Sequence, residues 1–579
     1  METTYQSRFN LADGHFKYAV IQDFFSDIRL DSAFINQIDS TDIDKITFYT
    51  DNKNHLCIPS FFIHDVNVNF SDFELFIQLS NKIEITVPIF REIKSLILDS
   101  IVLDPYLVNP LCAFRSMETL LPLSVQVTVL GKNGPLSDIQ HVFSGRFILH
   151  KIPILGLYPD YENQVVFQFI SKHGSVFYHD TVQISTRPIQ VFTSDILILQ
   201  SQPERMKPGL NLVNARNHPK YEVPFMFDMF GDIRWLLDYG SHPELNRLFY
   251  DVGIDRLKNG NWYFGDGWTE KIYEVGILGN VINSWSLGEF TFHHQVVEKE
   301  NGNFIVTVSK PGSLHINGRV TKEDHVIEID RKTGAILHEL DLKESLDEER
   351  VSVENTLNNN RVDWLHANAV YPDPSDQTII LSSRYQGVVK VTTDNQIKWI
   401  LSPHEGWMTN RYGDDLSSYL LAPLDASGQR ILNPAVLAGT ENHPDFEWNW
   451  GQHASHKIEN GHLILYDNGY NRNFGLSDEY SRIVEYEINE SELTIKQVWS
   501  FGKQFGSSLY STVGSNVEYD PHYDNFFMNG GFVVPTTNGH GGKMLEIDRT
   551  TKEIVFEAEL TADDAFAFHR MYRIPLYPD

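Results

Sequence analysis

MFDMFGDIRWLL (226–237), IYEVGILGNVINSW (272–285), VIEIDRKTGAILHEL (326–340), VVKVTTDNQIKWI (388–400), IVEYEINESELTIKQVW (483–499) and MLEIDRTTKEIVFEAEL (544–560) are six copies of one unit. Each is a strand and its acidic residue, a turn, and a second strand that often ends in Trp. A period of this length marks a repeat architecture. A second unit, an Asn-Gly turn between two apolar runs, recurs at Asn259-Gly260, Asn301-Gly302, Asn460-Gly461 and Asn529-Gly530, with Asp373-Pro374-Ser375-Asp376 in the corresponding place of another segment. Asn-Gly between alternating hydrophobics is a hairpin signal, because both residues accept positive φ. Two hairpins per repeat make a four-stranded sheet. The second unit is one copy short, and the carboxy-terminal AFAFHRMYRIPLY (565–577) can supply the missing inner strand. A ring closed by strands from both ends leaves no open sheet edge. The expected fold class is therefore all-β, a six-bladed β-propeller over 190–579, with five or seven blades as the rival counts.

Ahead of the repeats, LSVQVTVLG, a turn at 132–135, QVVFQFI and DTVQIST space like an Ig-like β-sandwich, placed at 105–189. Residues 1–104 form an amino-terminal extension of unknown role, with strand-like KIEITVPIF (82–90) and a short helix expected near 30–45. The segment 402–450 is too long for a blade turn, and long connections tend to carry function.

Composition narrows the function. The chain has 579 residues and a formal net charge of -30, which argues against nucleic acid as a partner. An anionic substrate would need a local positive site within that negative field. Cys57 and Cys112 are too few for a disulfide framework. With no basic-then-apolar leader and no run of 18 apolar residues, a cytoplasmic chain without membrane contact is expected. There is no GxxxxGK[ST] loop for a nucleotide donor.

The chemistry sits at one phase of the repeat. His294, His453 and His522 each lie seven residues before an Asn-Gly turn, and His366 holds a similar place before the longer turn at 373–376. At the start of inner strands, such residues would meet at one mouth of the channel. Val252 holds that offset in the first such segment, so the blade itself does not require His. His293 and His456 fall on other phases and read as structural. Arg384 ends the run TIILSSR, eighteen residues after His366, and offers a permanent fork of donors for an oxyanion. Asn368 shares a strand face with His366, and Asp363 is placed to orient a ring nitrogen. Histidines with one arginine permit metal binding or transfer of an anionic group with His as nucleophile and acid/base. Arg384 favours the second, since a guanidinium repels a cation. Trp364, Trp407 and Trp450 could wall an aromatic site, though each also suits core packing.

These residues resemble a family. DWLHANAVYPDPSDQTIILSSRYQGVVKV (363–391), with its HxN and SSR, and GQHASHKIENGHLILYDNGYNR (451–472) are similar to consecutive blades of the bacterial aryl-sulfate sulfotransferases. KNGPLSDIQHVFSGRFILHKIPILGLYPDYENQVVF (132–167) and YRIPLYP (572–578) fit as well. The resemblance implies a ping-pong reaction without nucleotide or other cofactor, from a phenolic sulfate ester to a phenol acceptor through a sulfohistidine. By position it assigns the nucleophile to His453, further site histidines to His294 and His366, the sulfuryl-binding arginine to Arg384, and a polar neighbour to Asn368. His522 rests on the repeat spacing alone, as a substrate-binding residue. A homodimer is a further expectation. This chain departs from the resemblance in lacking a secretory leader and any Cys within 402–450. A metal-dependent propeller oxygenase with four histidines and a non-catalytic ligand-binding propeller remain as alternatives.

Overall fold

The computed structural model describes residues 99–578 except 171–173, 175, 190–194, 216–221, 250 and 562–567, together with short strand segments between residues 28 and 91. The helix expected near 30–45 lies outside the described residues. Of KIEITVPIF, Glu84–Pro88 is a strand.

The amino-terminal sheet has five strands. Cys112–Val129 is its spine, pairing with Ile139–Leu155 on one side and Glu162–Ile170 on the other. Val176–Ser185 extends the sheet beyond Glu162–Ile170, and Asp99–Leu103 pairs with the first part of the spine. Alternate residues Val125, Val127, Val129, Val165, Phe167 and Phe169 point inward and are buried, as the period of two demands. One hydrophobic cluster runs from these residues into the repeats, through Val108 and Leu111 to Trp235, Tyr239 and Tyr577. Polar ties cross the same boundary. Arg234 donates to Gly156 O and to the Tyr158 hydroxyl, and the Tyr577 hydroxyl accepts from Leu155 N.

Among the described residues the repeats form six sheets of four or five strands, antiparallel apart from one short added strand. In the last of them the outermost strand, Asp195–Ser201, comes from the start of the repeat region and pairs with Ile554–Thr561. In the first, Phe568–Ile574 from the carboxy terminus pairs with Leu210–Ala215. Strands from both ends of the repeat region thus close the ring, and Phe568–Ile574, within AFAFHRMYRIPLY, is the inner strand expected there. The inner strands Thr291–Glu298, Ala367–Asp373, His453–Lys457, Asn516–Asp520 and Phe568–Ile574 touch in succession. Side chains stitch neighbours together: Gln295 Oε1 accepts from Val370 N, and Asn368 donates to Gln452 O.

Three Asn-Gly turns are hairpins as read, at 259–260, 301–302 and 460–461. Asn529-Gly530 is not. It lies inside strand Asn525–Thr536, and the turn falls at 521–524 instead. The glycines there serve close approach: a Cβ on Gly531 would sit 1.9 Å from Phe568 O. Asn529-Gly530 therefore does not mark the hairpin turn of this sheet, and His522 is an exposed turn residue between Asn516–Asp520 and Asn525–Thr536, not an inner-strand start as expected.

The long segment 402–450 adds a short strand, Ala422–Leu424, parallel to the outer strand Thr494–Phe501. Its Phe446, Trp448 and Trp450 fill the cluster beneath. It delivers Gln452, which donates to Ser383 O and Gly387 O, immediately before His453. Trp364, Trp407 and Trp450 are buried in hydrophobic clusters, so all three are core residues. Among the described residues no helix is long and apolar enough to cross a membrane.

Candidate active site

His294, His366 and His453 meet at one end of the ring, and a shared backbone device brings them there. The inner-strand pairings slip register between Phe292 and Val296, between Ala367 and Ala369, and between His453 and His456. His294, His366 and Ala454 have φ of 58°, 55° and 56°, a left-handed conformation that costs a non-glycine residue energy. A bulge at a strand start re-aims the side chain it carries. Three bulges at matching positions turn three imidazoles off the sheet faces and toward one another. Gly253, with φ +58°, lets the neighbouring strand start pass: a Cβ there would meet His294 O at 2.8 Å.

The imidazoles fall into two environments. His294 and His366 lie on the acidic side. Asp251 accepts from His294 Nδ1, Asp363 lies 2.7 Å from His366 Nδ1 and Glu323 Oε2 lies 2.6 Å from the same nitrogen. The two Nε2 atoms are 3.1 Å apart. With both Nδ1–H groups spent on carboxylates, a proton on His294 Nε2 is donated to the lone pair of His366 Nε2. Burial opposes charge on His294, but Asp251 and Glu323 outweigh it and lift its pKa to about 9. Asp251 itself stays ionised despite its burial, held well below the usual carboxylate range by His569 and His294. Lys322 lies 3.0 Å from Asp363 and 3.3 Å from Glu323.

His453 lies on the other side, 3% exposed. Asn468 donates its amide to Ser511 O and Gly514 O, at 2.8 and 3.1 Å. That fixes the amide orientation, so its oxygen faces His453 Nδ1 at 2.7 Å and accepts. The proton is therefore on Nδ1, and the buried Nε2 lone pair has no hydrogen-bond partner among the described residues. Burial, then the nearby Arg384 and His569, push the pKa of His453 well below its ordinary value. Arg384 follows strand Thr378–Ser383 and is pinned by its backbone N–H to His366 O. Its Nε is buried without a hydrogen-bond partner. A neutral imidazole lone pair beside a cation with spare donors suits an anionic electrophile.

Asn368 comes to the site as a strut. Its Nδ2 donates to Gln452 O at 2.8 Å, one residue from His453, and its buried Oδ1 has no partner. Its own carbonyl accepts from the buried Arg570. His522 does not join the cluster.

Four members carry no mark in the sequence analysis: His569, Asp251, Glu323 and Asn468. His569, on the closing strand, has its ring centroid 5.4 Å from that of His294 and 6.4 Å from that of His453. Burial pushes its pKa down to about 4. A signal for it lies in the sequence: the carboxy-terminal stretch is expected to be an inner strand, and His569 sits near the start of that strand. Asp251 stands next to Val252, the residue noted at the histidine offset, but a carboxylate there has no repeat phase to reveal it. His293, read as structural, packs edge-on against His294 with ring centroids 5.1 Å apart, and burial pushes its pKa down to about 3.

The arylsulfotransferase (ASST) family matches residues 196–573, and the arylsulfotransferase Ig-like domain matches residues 100–187. Similar proteins include arylsulfate sulfotransferase AssT of Escherichia coli O6:H1, 28% identical over 552 residues covering 80% of this chain and 90% of that one. The protein of the same name from Lelliottia amnigena is 28% identical over 557 residues, with the same shares covered. Matched through nearly all of its repeat region and through the sandwich before it, the chain belongs to the arylsulfotransferase family.

Proposed function

We propose that this protein is an aryl-sulfate sulfotransferase that uses no nucleotide donor, and that it moves a sulfuryl group from a phenolic sulfate ester to a phenol in two half-reactions through a sulfohistidine at His453. The observation that carries the proposal is the buried, neutral His453 with its Nε2 lone pair unpartnered beside Arg384.

In the first half-reaction the Nε2 lone pair of His453 forms a bond to sulfur. The bond from sulfur to the aryl oxygen breaks, and its electron pair leaves on the phenolic oxygen. That oxygen takes the proton shared by His294 and His366. Arg384 holds the non-bridging oxygens of the sulfuryl group, where negative charge persists through the transition state. Sulfonation makes the His453 ring cationic, and Asn468 Oδ1 stabilises it through Nδ1–H. An amide suits this task because it orients the ring without raising its basicity beforehand. In the second half-reaction the His294–His366 pair removes the proton of an incoming phenol, the new oxygen–sulfur bond forms, and the nitrogen–sulfur electron pair returns to His453. His569, between Asp251 and His453, is positioned to bear on the same oxygens. Family membership favours this reading over the metal-dependent oxygenase and the non-catalytic binder.

The test is turnover of 4-nitrophenyl sulfate with a phenol acceptor by pure protein. His453→Asn should abolish both phenolate release in a single turnover and transfer to the acceptor. Retained release by that variant would move the nucleophile elsewhere.

A further inference from the structure

The mechanism uses His294 and His366 and leaves the residue between the bulge and the core unexplained. His293 is 7% exposed, and neither ring nitrogen has a hydrogen-bond partner of ordinary geometry. The Val308 backbone offers one of them a marginal contact at most, so at least one lone pair is unserved. A buried imidazole without a partner is costly, and such groups are rare. One His293 nitrogen, one His294 nitrogen and one Glu323 oxygen all lie within 4.8 Å of one another. Glu323 Oε2 is buried, 3.8 Å from His294 Nε2 and 2.6 Å from His366 Nδ1. Glu323 has φ +57°, so its strained backbone holds the carboxylate there.

We infer that His293, His294 and Glu323 form a binding site for a divalent transition-metal ion of the zinc class, and that an ion bound there withdraws His294 from sulfuryl transfer. Two imidazoles and one carboxylate are a donor set that first-row ions accept and that magnesium and calcium, which prefer oxygen, do not. Zinc–nitrogen bonds of about 2.0–2.1 Å need the three donors to draw in by an ångström or so, by small tilts of both imidazoles and by exchange of Glu323 Oε2 from His366 Nδ1 to the ion. The outer shell is already built. Asp251 holds His294 Nδ1, leaving Nε2 to face the ion, the carboxylate–imidazole–metal arrangement that orients a ligating ring. The ion and the proton shared between His294 and His366 compete for the same lone pair, so metal binding and acid catalysis exclude each other. The site stands on its own geometry; only its inhibitory consequence rests on the sulfuryl-transfer reading.

The test uses the full-length protein. Co²⁺ is titrated into it and followed by visible absorption, then displaced with Zn²⁺. Separately, Zn²⁺ is titrated into turnover of 4-nitrophenyl sulfate. We expect a saturable Co²⁺ band at one equivalent, removed by Zn²⁺, and inhibition reversed by a chelator. His293→Gln should keep turnover within about twofold of the parent and raise the Zn²⁺ concentration for half-inhibition by at least about tenfold, the scale on which ligand-shell changes alter metal affinity. Should His293→Gln not fold, Glu323→Gln read by the Co²⁺ band alone replaces it and should lose the band. Turnover without any saturable band, or unchanged Zn²⁺ sensitivity in His293→Gln, overturns the site. A Co²⁺ band in a protein that turns over no aryl sulfate leaves the site standing and sinks the sulfuryl-transfer reading instead.

Discussion

In the proposed reaction, the choice between nucleophile and proton donor comes down to one partner atom per histidine. His453 faces an amide oxygen and stays neutral, whereas His294 faces a carboxylate and gains a proton. Exchanging the partner should exchange the behaviour. Asn468→Asp would place a negative charge at Nδ1, raise the pKa of His453 by one unit or more, and move the low-pH limb of the rate profile up by the same amount. Stopped-flow phenolate release across pH checks this, and an unmoved limb would show that Asn468 does not control the nucleophile. The His294 shift predicts the opposite limb. Its proton is in place below about pH 9 and lost above it, so the donor half-reaction should slow as pH rises through that value. The loss should be larger for esters of weakly acidic phenols than for nitrophenyl sulfate, whose leaving group needs no proton. The same raised pKa means that His294 contributes stability fully below its unfolded value, about 6.5, and loses that contribution as pH rises through about 9.

At the scale of the element, the bulges place the site and ion pairs between sheets hold the bulged strands in register. Lys390 is 1% exposed and reaches Asp373 at 3.1 Å in its own sheet and Glu490 at 2.6 Å in the next. Lys457, on the strand that begins with His453, closes the network onto Asp373 at 2.6 Å. Lys390→Met should destabilise the protein by about 3 kcal/mol, the lower end for breaking a buried pair, because Lys457 still compensates Asp373. Denaturant unfolding measures this, and a change under about 0.5 kcal/mol would mean that the network is not a tie. Asp373 is held well below its ordinary pKa despite burial, by Lys457 and Lys390. Its share of stability is present above about pH 4 and is lost as pH falls through its folded value.

For the whole molecule, a net charge of -30 surrounds a site built for an anion. The three carboxylates Asp251, Glu323 and Asp363 sit behind His294 and His366, while Arg384 makes no ion pair among the described residues. Attraction is thus local and repulsion long-ranged. Raising ionic strength from about 10 to 200 mM shortens the screening length severalfold, so kcat/KM for an aryl sulfate should rise by roughly twofold or more before local screening of Arg384 reverses the trend. A monotonic fall would show that the distant charge does not reach the substrate.

Repetition along the chain made the propeller, its closure by the carboxy-terminal strand and three of the site histidines legible, because hydrophobic period and turn chemistry are local properties. The same spacing misleads at His522, where Asn529-Gly530 looks like a turn but lies inside a strand whose next residue, Gly531, packs its backbone against Phe568, 37 residues away in the chain. Asp251, Glu323 and Asn468 show why the rest was hidden. Each matters through a partner on another strand, and no spacing in the sequence records which ring nitrogen it will face. The sequence by itself determined the all-β repeat fold, placed His294, His366 and His453 at like positions of their repeats, and singled out Arg384 at the end of the run TIILSSR after His366. Only the tertiary structure decided which imidazole is neutral with an open lone pair and which carries a proton, because that depends on burial and on the oxygen atoms that Asp251 and Asn468 bring to His294 and His453 from other parts of the chain.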